Sequence, residues 1–330
     1  MKKVISLILS VLMLTAMLSG CGSTSAPDAT SGSDAELHVA IVQQLDHSSL
    51  DEIREAVKAQ LTALAEAKGI TIEIDEYNGQ NDASVLNQIG TEAVSDGVDM
   101  LIPIATTAAQ CMITAAEGTD IPIVYAAVSD PASTGLTGHA NVTGTSDALN
   151  TAFILDMMLA VQPDIQTVGL LYSNSEPNSA TPIAQAKEYL DAKGIAYLEK
   201  TGNTSGEIIT AAASLVDRVD AVFTPTDNAV MAAEASVAET LNAAGIPHYT
   251  GADSFVLSGA FTTCGVNYTE LGTKTADIAF DILMGGAIPE FHVMDGGIIT
   301  VNTETAAQLG IDYSVFAEMA NTVNEVVTGE

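Results

Sequence analysis

Short apolar runs rich in β-branched residues alternate with amphipathic stretches from residue 38 onward. Residues 38–43 predict a strand, and residues 50–67 predict a helix whose apolar side chains recur on one face. The alternation continues with strands at 70–75, 99–104 and 121–127 and helices at 84–95 and 108–117. Strands that alternate with helices of this length predict an α/β fold, in which helices cover both faces of a parallel sheet.

The second half of the chain repeats the plan of the first half. Residues 65–74 and 189–198 both run from a helix end through Lys-Gly-Ile into a strand. A glycine at that place suits the left-handed residue that ends a helix. Two further pairs of segments match in kind, namely 96–110 with 217–231 and 118–126 with 243–251. This repetition predicts two lobes of one architecture.

Polar segments follow the predicted strands in both halves. Ligands of open parallel sheets bind beyond the carboxyl ends of the strands, so two lobes with facing edges form a binding cleft. Helix N-termini in such a cleft offer free N–H groups and positive dipole ends, which suit a carboxylate. The polar segments are residues 43–49, 105–110, 129–133, 173–179, 224–228 and 251–254.

The start of the chain has a different pattern. Lys2 and Lys3 precede an apolar run at 4–17, which has the length of a signal-peptide core. The following Leu18-Ser19-Gly20-Cys21 resembles the lipobox of bacterial lipoproteins, which implies cleavage before Cys21 and its diacylation. An ordinary secretory signal with an incidental cysteine is the alternative.

Residues 22–36 consist mostly of Ser, Gly, Ala, Asp and Pro and show no apolar periodicity. Such a segment buries too little apolar surface to fold. We therefore predict a lipoprotein signal peptide at 1–20 and a flexible tether at 21–36. The protein is expected outside the cytoplasm, held to the outer face of the cell membrane by a lipid on Cys21.

The net charge is −32, so the protein repels the phosphate backbones of nucleic acids, and we expect no nucleic-acid partner. Only Cys111 and Cys264 follow the lipobox, and both lie in apolar runs. Their small number and their apolar surroundings favour two buried free thiols over a disulfide bridge.

Motifs of the common catalytic and cofactor sites are absent from the sequence. There is no Gly-x-Gly-x-x-Gly after the first strand, no Walker-type Gly-Lys-Ser/Thr and no Gly-x-Ser-x-Gly elbow. The five histidines are isolated from one another, without metal-type pairing. We therefore expect no cofactor, no metal and no enzymatic activity; a hydrolase built on Asp130 and Asp227 would lack a nucleophile.

Three polar positions at the predicted cleft each have two interpretations. His47 opens a helix and is either a ligand contact or a solvated loop residue. Asp227 either caps a helix or pairs with a ligand ammonium across the cleft. Asp130-Pro131 either forms a turn or meets the ligand.

Several motifs together, in this order and spacing, carry a resemblance to a known family. They lie at residues 106–110, 128–131, 141–147, 172–179, 226–228 and 268–272. The chain resembles, over residues 37–312, the tryptophan/tyrosine-type substrate-binding proteins of bacterial ABC transporters. Members of that family bind a free amino acid and deliver it to an ABC permease with its ATPase.

The resemblance implies a type I periplasmic-binding-protein fold, whose two lobes are joined by three crossover hinge strands. Crossings are then expected near residues 141–146, 263–267 and 290–293. The first lobe would comprise residues 37–145 plus 266–290, and the second 146–265 plus 291–330. We expect a monomer that closes its lobes on the ligand.

The resemblance also implies a binding site. A ligand carboxylate is expected to meet Ser175, Asn178 and Ser179, and its ammonium to pair with Asp227, helped by Asp130. We expect Asp227→Ala to abolish binding while the protein stays folded. The full set of expected ligand-binding residues is Gln43, His47, Leu50, Thr106, Ala108, Gln110, Asp130, Pro131, Asn174, Ser175, Glu176, Asn178, Ser179, Asp227, Asn228 and Asp253.

Two alternatives to an aromatic amino acid importer stay open at this point. The same fold also serves ligands such as nucleosides, branched-chain amino acids and sugars. A lipoprotein of this kind can also act as a signalling receptor that presents its closed form to a membrane partner.

Overall fold

The computed structural model describes residues 36–329, so the predicted signal peptide, most of the tether and Cys21 lie outside the described residues. The strands are β1 (Glu36–Gln43), β2 (Thr71–Asn78), β3 (Met100–Ile104), β4 (Ile123–Tyr125), β5 (Val142–Ser146), β6 (Thr167–Tyr172), β7 (Ala196–Thr201), β8 (Ala221–Thr224), β9 (His248–Thr250), β10 (Thr262–Gly265), β11 (His292–Val293), β12 (Ile298–Asn302) and β13 (Thr322–Val326).

The helices alternate with most of the strands. They are α1 (Ser48–Lys68), α2 (Ala83–Asp96), α3 (Thr106–Ala115), α4 (Thr151–Val161), α5 (Ala180–Lys193), α6 (Ser205–Ala213), α7 (Asn228–Met231), α8 (Glu234–Ala243), α9 (Asp253–Leu257), α10 (Tyr268–Leu283), α11 (Thr303–Leu309) and α12 (Phe316–Met319). A 3₁₀ turn at Pro177–Ser179 precedes α5. Within residues 36–329, no helix is long and apolar enough to span a membrane.

Two sheets form the centres of two lobes. The first sheet has the strand order β11-β5-β4-β3-β1-β2, and the second has the order β13-β12-β10-β9-β8-β6-β7. All pairs in the first sheet are parallel. Because the carboxyl ends of parallel strands share one edge of a sheet, the loops that follow them collect at the interface of the two lobes.

The first sheet is buried on both faces, as the continuous apolar runs predict. Val39 and Ile41 of β1 pack in one cluster with α1, whereas Ala40 and Val42 pack in another with α2 and α3. Successive side chains of a strand point to opposite faces, so a strand covered on both sides is apolar at every position.

The predicted internal repeat is visible in the way two helices end. Gly69 follows α1 with φ 68°, and Gly194 follows α5 with φ 70°. In both places the glycine N–H bonds to a carbonyl of the last turn, and the chain enters a strand next. A left-handed residue without a Cβ ends both helices at little cost.

The chain passes between the lobes three times, as a type I fold requires. The passages lie between β5 and α4, between β10 and α10, and between β11 and β12. Helix α10 packs on α1 in the first lobe before the chain returns to the second. These three passages form the hinge.

Two details of the sheets differ from the sequence-based expectation. The short strand β11 pairs with β5 in the first sheet, although residues 291–330 were assigned to the second lobe. Strand β12 runs antiparallel to β10, so the second sheet is not wholly parallel. The physical reason is the third passage, because β12 enters its sheet from the hinge side and therefore runs in the opposite direction.

The end of the chain and the two cysteines complete the core. Helix α12 buries Phe316 against the second lobe, and β13 pairs in parallel with β12 at the sheet edge. Cys111 and Cys264 are buried and free, which confirms the predicted thiols.

Candidate functional site

A small cavity lies between the lobes, where the carboxyl ends of the strands meet. It encloses about 20 Å³, which is room for roughly one water molecule. Pockets for small ligands usually measure about 300–1,000 Å³. The lobes are therefore in direct contact, and a cavity of this size is too small for an ordinary small-molecule ligand.

Both lobes line this cavity. The first lobe contributes side chains from the start of α1, the start of α3 and the loops after β3 and β4; the second contributes the starts of α7 and α9. The lining residues are His47, Ser49, Leu50, Ala105, Thr106, Ala127, Ser129, Asp147, Asn178, Thr226, Asp227, Asn228, Met231, Ala252, Ser254, Phe255 and Tyr268.

Hydrogen bonds between side chains join the lobes across the cleft. Each of them links a strand-end loop or helix start of one lobe to its counterpart in the other. They are Ser49 Oγ to Ser254 Oγ (2.6 Å), Ser129 Oγ with Thr226 Oγ1 (3.1 Å), His47 Nε2 with Asn228 Oδ1 (3.0 Å), Gln44 Nε2 to Glu176 Oε1 (2.9 Å), Thr181 Oγ1 to Asp130 Oδ2 (2.7 Å) and, more weakly, Thr181 Oγ1 to Ser133 Oγ (3.4 Å).

Three buried polar atoms at the cavity have no hydrogen-bond partner. They are His47 Nδ1, Thr106 Oγ1 and Asn178 Oδ1, and all three residues line the cavity. A buried polar group without a partner costs about 1–3 kcal/mol, so its retention needs an explanation. A ligand in the cleft that donates to or accepts from these atoms provides one.

Asp227 is fully buried and its carboxylate already serves three donors. Oδ2 accepts hydrogen bonds from Ser173 N (2.7 Å) and Ser179 Oγ (2.7 Å), while Oδ1 accepts from Val230 N (3.0 Å). The last bond makes Asp227 the N-cap of α7. Burial raises the pKa of Asp227 despite these donors. Asp227 therefore caps α7, as one of the two sequence-based interpretations predicted, and it also borders the cavity.

Glu176 is a second buried carboxyl group at the same place. It is 3% exposed and accepts hydrogen bonds from Gln44 Nε2 of the first lobe (2.9 Å) and Asn228 Nδ2 of the second (2.7 Å). Burial, together with the nearby charge of Asp227, raises the pKa of Glu176. This carboxyl group thus lies on the boundary between the lobes.

Buried titratable groups also mark the hinge side of the cavity and its entrance. Asp147 accepts hydrogen bonds from Ser129 Oγ (2.9 Å) and Tyr268 Oη (3.3 Å), and burial raises its pKa. At the start of α1, burial lowers the pKa of His47 and outweighs its contact with Asn228. His47 is therefore neutral at pH 7.

The backbone is strained at two points of the cavity wall. Ala105 has φ 78° and ψ 163°, and Ala127 has φ 54°. A positive φ of this kind costs a residue other than glycine about 1–3 kcal/mol, and such conformations are concentrated at ligand sites. Ala105 directly precedes α3, so its unusual conformation brings Thr106 and the helix start to the cavity.

The structure places six of the predicted site residues in the cavity wall: His47, Leu50, Thr106, Asn178, Asp227 and Asn228. Three more support the interface of the lobes without lining the cavity. Glu176 and Asp130 bond across the lobes, and Ser179 donates to Asp227.

The other predicted residues lie away from the cavity for identifiable reasons. Two glutamines bond to nearby groups instead: Gln43 to Leu45 O and Asp51, and Gln110 to Thr134 O. Ala108 is buried in the core of the first lobe. Ser175 is exposed and bonds to Ser173 Oγ. Asn174 is exposed and bonds to Thr201, Pro131 lies at the cleft edge beside Asp130, and Asp253 lines a separate small cavity.

The sequence-based set missed several cavity residues. Gln44, rather than Gln43, reaches the other lobe, because the chain turns at the end of β1 and only its path decides which amide faces the cleft. Ser129, Asp147, Thr226 and Tyr268 lie in the motifs that carried the resemblance, and that was the available signal for them. Nothing in the sequence marks Ala105 or Ala127.

A larger depression of about 660 Å³ lies behind the hinge, bordered by Asp147, Phe153, Gly265 and Met319 among others. None of its lining residues carries one of the buried unpartnered side-chain atoms of residues 36–329. We therefore assign the functional site to the cleft. In the described part of the chain, no cluster of His, Cys, Asp and Glu is arranged to hold a metal ion.

Comparison with known proteins agrees with this geometry. The sequence model of the family described as "ABC transporter substrate binding protein" matches residues 38–322. The chain belongs to the ABC transporter substrate-binding protein family. The predicted resemblance is thereby confirmed.

Three relatives of this substrate-binding protein show how close the similarity is. A tyrosine-binding protein of Clostridioides difficile (strain R20291) is 31% identical over 320 residues, covering 93% of this chain and 92% of the relative. A Streptococcus pneumoniae ABC domain in complex with L-Trp has a TM-score of 0.81 at 27% identity, covering 88% and 100% of the two chains. A ligand-free, open substrate-binding protein of Clostridium difficile has a TM-score of 0.66 at 30% identity, covering 88% and 99%.

The two structural comparisons also bear on the arrangement of the lobes. This substrate-binding protein superposes better on the tryptophan complex than on the open, ligand-free relative, although the sequence identities are similar. That difference agrees with the direct contacts between its lobes. The type I periplasmic-binding-protein fold is confirmed by the same structures.

Proposed function

We propose that this protein is the solute-binding lipoprotein of an ABC importer, which captures a free aromatic amino acid in the cleft and delivers it to a membrane permease. Tyrosine is the first candidate ligand. The proposal includes no enzymatic step, since capture needs only the closing of the lobes.

The observation that carries the proposal is the set of unpartnered polar atoms in the cleft. His47 Nδ1, Thr106 Oγ1 and Asn178 Oδ1 come from both lobes and border one cavity. An amino acid carries an ammonium and a carboxylate on one carbon, so it can satisfy donors and acceptors from both lobes at once. Closing on it excludes water, which strengthens the charged hydrogen bonds.

The apolar part of the cavity supports an aromatic ligand. Leu50 of the first lobe and Met231 and Phe255 of the second form the apolar wall of the cavity. An aromatic ring packs well against an aromatic edge and against a methionine sulfur. The named ligands of two relatives, tyrosine and L-Trp, fit such a wall.

The first test is a screen by thermal unfolding against the twenty amino acids, common nucleosides and sugars. A ligand that binds the folded protein raises its melting temperature by mass action. We expect L-tyrosine or L-tryptophan to give the largest rise. A rise with nucleosides or sugars alone would refute the amino-acid assignment.

The second test uses a matched pair of threonine substitutions on α3. Thr106 Oγ1 is buried without a partner, whereas Thr114 is exposed on the last turn and donates to Gln110 O. Thr106→Val removes a buried hydroxyl that has no partner in the folded protein, so it should raise the free energy of unfolding, by at most about 1–3 kcal/mol. We expect it to weaken tyrosine binding about tenfold, equal to one hydrogen bond of roughly 1.4 kcal/mol. Thr114→Val should bind like the wild type in the same calorimeter.

We also propose that a lipid on Cys21 holds the protein to the outer face of the membrane. The support is the lipobox-like Leu18-Ser19-Gly20-Cys21 after an apolar core. Cys21→Ser should move the protein from the membrane fraction to the medium or periplasm and abolish labelling by a radioactive fatty acid. Unchanged fractionation would contradict the anchor without affecting the binding tests.

A further inference from the structure

Glu176 is buried at the lobe boundary without a positive partner. Its two carboxylate oxygens accept one amide N–H from each lobe, at 2.9 Å from Gln44 and 2.7 Å from Asn228. Among residues 36–329, no ion pair involves Glu176 or Asp227. Buried charges are normally paired, because removal of an unpaired charge from water is costly.

The groups packed around Glu176 supply no compensating charge. Gln44 is held by Asn81 Oδ1 and by Thr107 N, all neutral. On the α7 side, Asp227 is the charged group that acts on Glu176, and it is repulsive. His47 lies one hydrogen bond beyond Asn228 and is neutral at pH 7 because burial lowers its pKa.

When the lobes separate, this arrangement is dismantled. The bond from Gln44 crosses from the first lobe to the second, so opening breaks it and uncovers the side of the carboxylate that faces the first lobe. Closing therefore buries a charge that the open form solvates. This cost must be met each time that the cleft closes.

We propose that closure of the lobes on a ligand is coupled to the arrival of one positive charge at Glu176, brought by a proton or by the ammonium of the ligand. This inference rests on the proposed function in one respect: L-tyrosine is the probe because it is the first candidate ligand. Glu176 is thus a positioning residue, which acts on the ligand site through Asn228 and His47.

The proton source follows from the electrostatics of the closed form. Burial and the charge of Asp227 raise the pKa of Glu176 to about 8, whereas an exposed Glu titrates near pH 4.3. Below both values the carboxyl group is protonated in either form, and closure has no pH dependence. Between them closing takes up a proton, so each unit of rise in pH weakens closure about tenfold.

The ammonium source follows from the hydrogen-bond relay. Asn228 Nδ2 donates to Glu176, Asn228 Oδ1 lies 3.0 Å from His47 Nε2, and His47 Nδ1 borders the cavity without a partner. With its proton on Nε2, neutral His47 presents a lone pair on Nδ1 to the cavity. A ligand ammonium that donates there brings a positive charge into the cavity, linked to Glu176 through His47 and Asn228, and no proton is then taken up.

Calorimetry with L-tyrosine distinguishes the two sources. Titrations at pH 7 in buffers of different ionisation enthalpy count the protons taken up when L-tyrosine binds. A series from pH 6 to pH 8 measures how the affinity for L-tyrosine changes with pH. If the charge is a proton, the wild type takes up close to one per tyrosine and loses affinity about tenfold per pH unit. Glu176→Gln, which keeps the shape, should take up none and show a flat profile.

If the charge is the ammonium, the wild type takes up no proton. Glu176→Gln should then weaken L-tyrosine at least tenfold and leave 3-(4-hydroxyphenyl)propionate, which lacks the amine, unchanged. Glu239→Gln, at an exposed position of α8, is the matched control and should behave as the wild type. The inference is overturned if Glu176→Gln keeps both the wild-type pH profile and the wild-type ratio of the two affinities.

Failure of the proposed function has a different signature. If neither tyrosine nor another amino acid binds, the proposed function is wrong, and small-angle X-ray scattering of the ligand-free protein decides the inference. Compaction between pH 8 and pH 6 in the wild type, absent from Glu176→Gln, supports charge-coupled closure. Superimposable curves for the two proteins overturn it. Circular dichroism of the variant checks that it is folded.

Discussion

Asp227→Ala is the substitution for which the structure makes the sharpest stability prediction. The carboxylate is fully buried and accepts hydrogen bonds from Ser173 N, Ser179 Oγ and Val230 N at 2.7, 2.7 and 3.0 Å. Alanine removes both oxygens and leaves three buried donors without an acceptor. Each costs about 1–3 kcal/mol, so we expect a loss of about 3–9 kcal/mol in the free energy of unfolding.

That loss is large compared with the total stability of a domain, which is about 5–15 kcal/mol. The expectation that Asp227→Ala abolishes binding while the protein stays folded stays a prediction. The structure adds that any loss of binding in this variant would be mixed with its loss of stability. Asp227→Asn separates the two. Asn caps helices as well as Asp and keeps one oxygen for Val230 N. Its amide nitrogen cannot accept from Ser173 N, so we expect a loss of about 1–3 kcal/mol, smaller than that of alanine.

Urea unfolding followed by circular dichroism measures both variants. The midpoint should fall most for Asp227→Ala and less for Asp227→Asn, with the same slope for all three proteins. A change below about 1 kcal/mol for Asp227→Ala at unchanged slope would refute this reasoning, since the three donors would then have found other partners. Calorimetry on the stable Asn variant tests the proposed pairing of Asp227 with a ligand ammonium.

Two further stability predictions concern the backbone. Ala105→Gly relieves the positive φ of 78° and should raise the free energy of unfolding by about 1 kcal/mol, measured by thermal unfolding; an unchanged or lower melting temperature would contradict strain at this position. Gly144→Ala places a Cβ in a steric clash with Tyr125 O and should lower the free energy of unfolding by at least about 1–3 kcal/mol. Gly206→Ala is the control: its Cβ meets no atom within 4 Å, so the protein should keep its stability. Equal melting temperatures for these two alanine variants would refute the packing argument.

Much of the fold followed from local signals in the sequence. The strand at residues 38–43 and the helix at 50–67 correspond to β1 and α1, because continuous burial and a one-sided apolar stripe are visible in residue order. Gly69 and Gly194 ended their helices in the left-handed conformation for the same local reason. The direction of β12 was not predictable, since it depends on the path of the chain through the hinge.

The candidate site was only partly predictable for a related reason. His47, Thr106 and Asn178 were identified because they lie on polar segments that follow strands. Gln44 was missed in favour of Gln43, because which amide faces the cleft depends on Glu176, 132 residues away. The positive φ of Ala105 and the three hydrogen bonds accepted by Asp227 could not be predicted from the residues around them in the sequence.

By itself, the sequence determined the alternation of strands and helices, the repeat that makes two lobes, the edge at which polar loops collect, and the family. Each of these depends on residues near one another in the chain or on a pattern of segments. Only the tertiary structure decided which polar atoms stay unpartnered in the cleft and that Glu176 lies between the lobes without a cation. Those properties depend on which distant side chains meet when the lobes close, and burial then sets the cost of every charge left there.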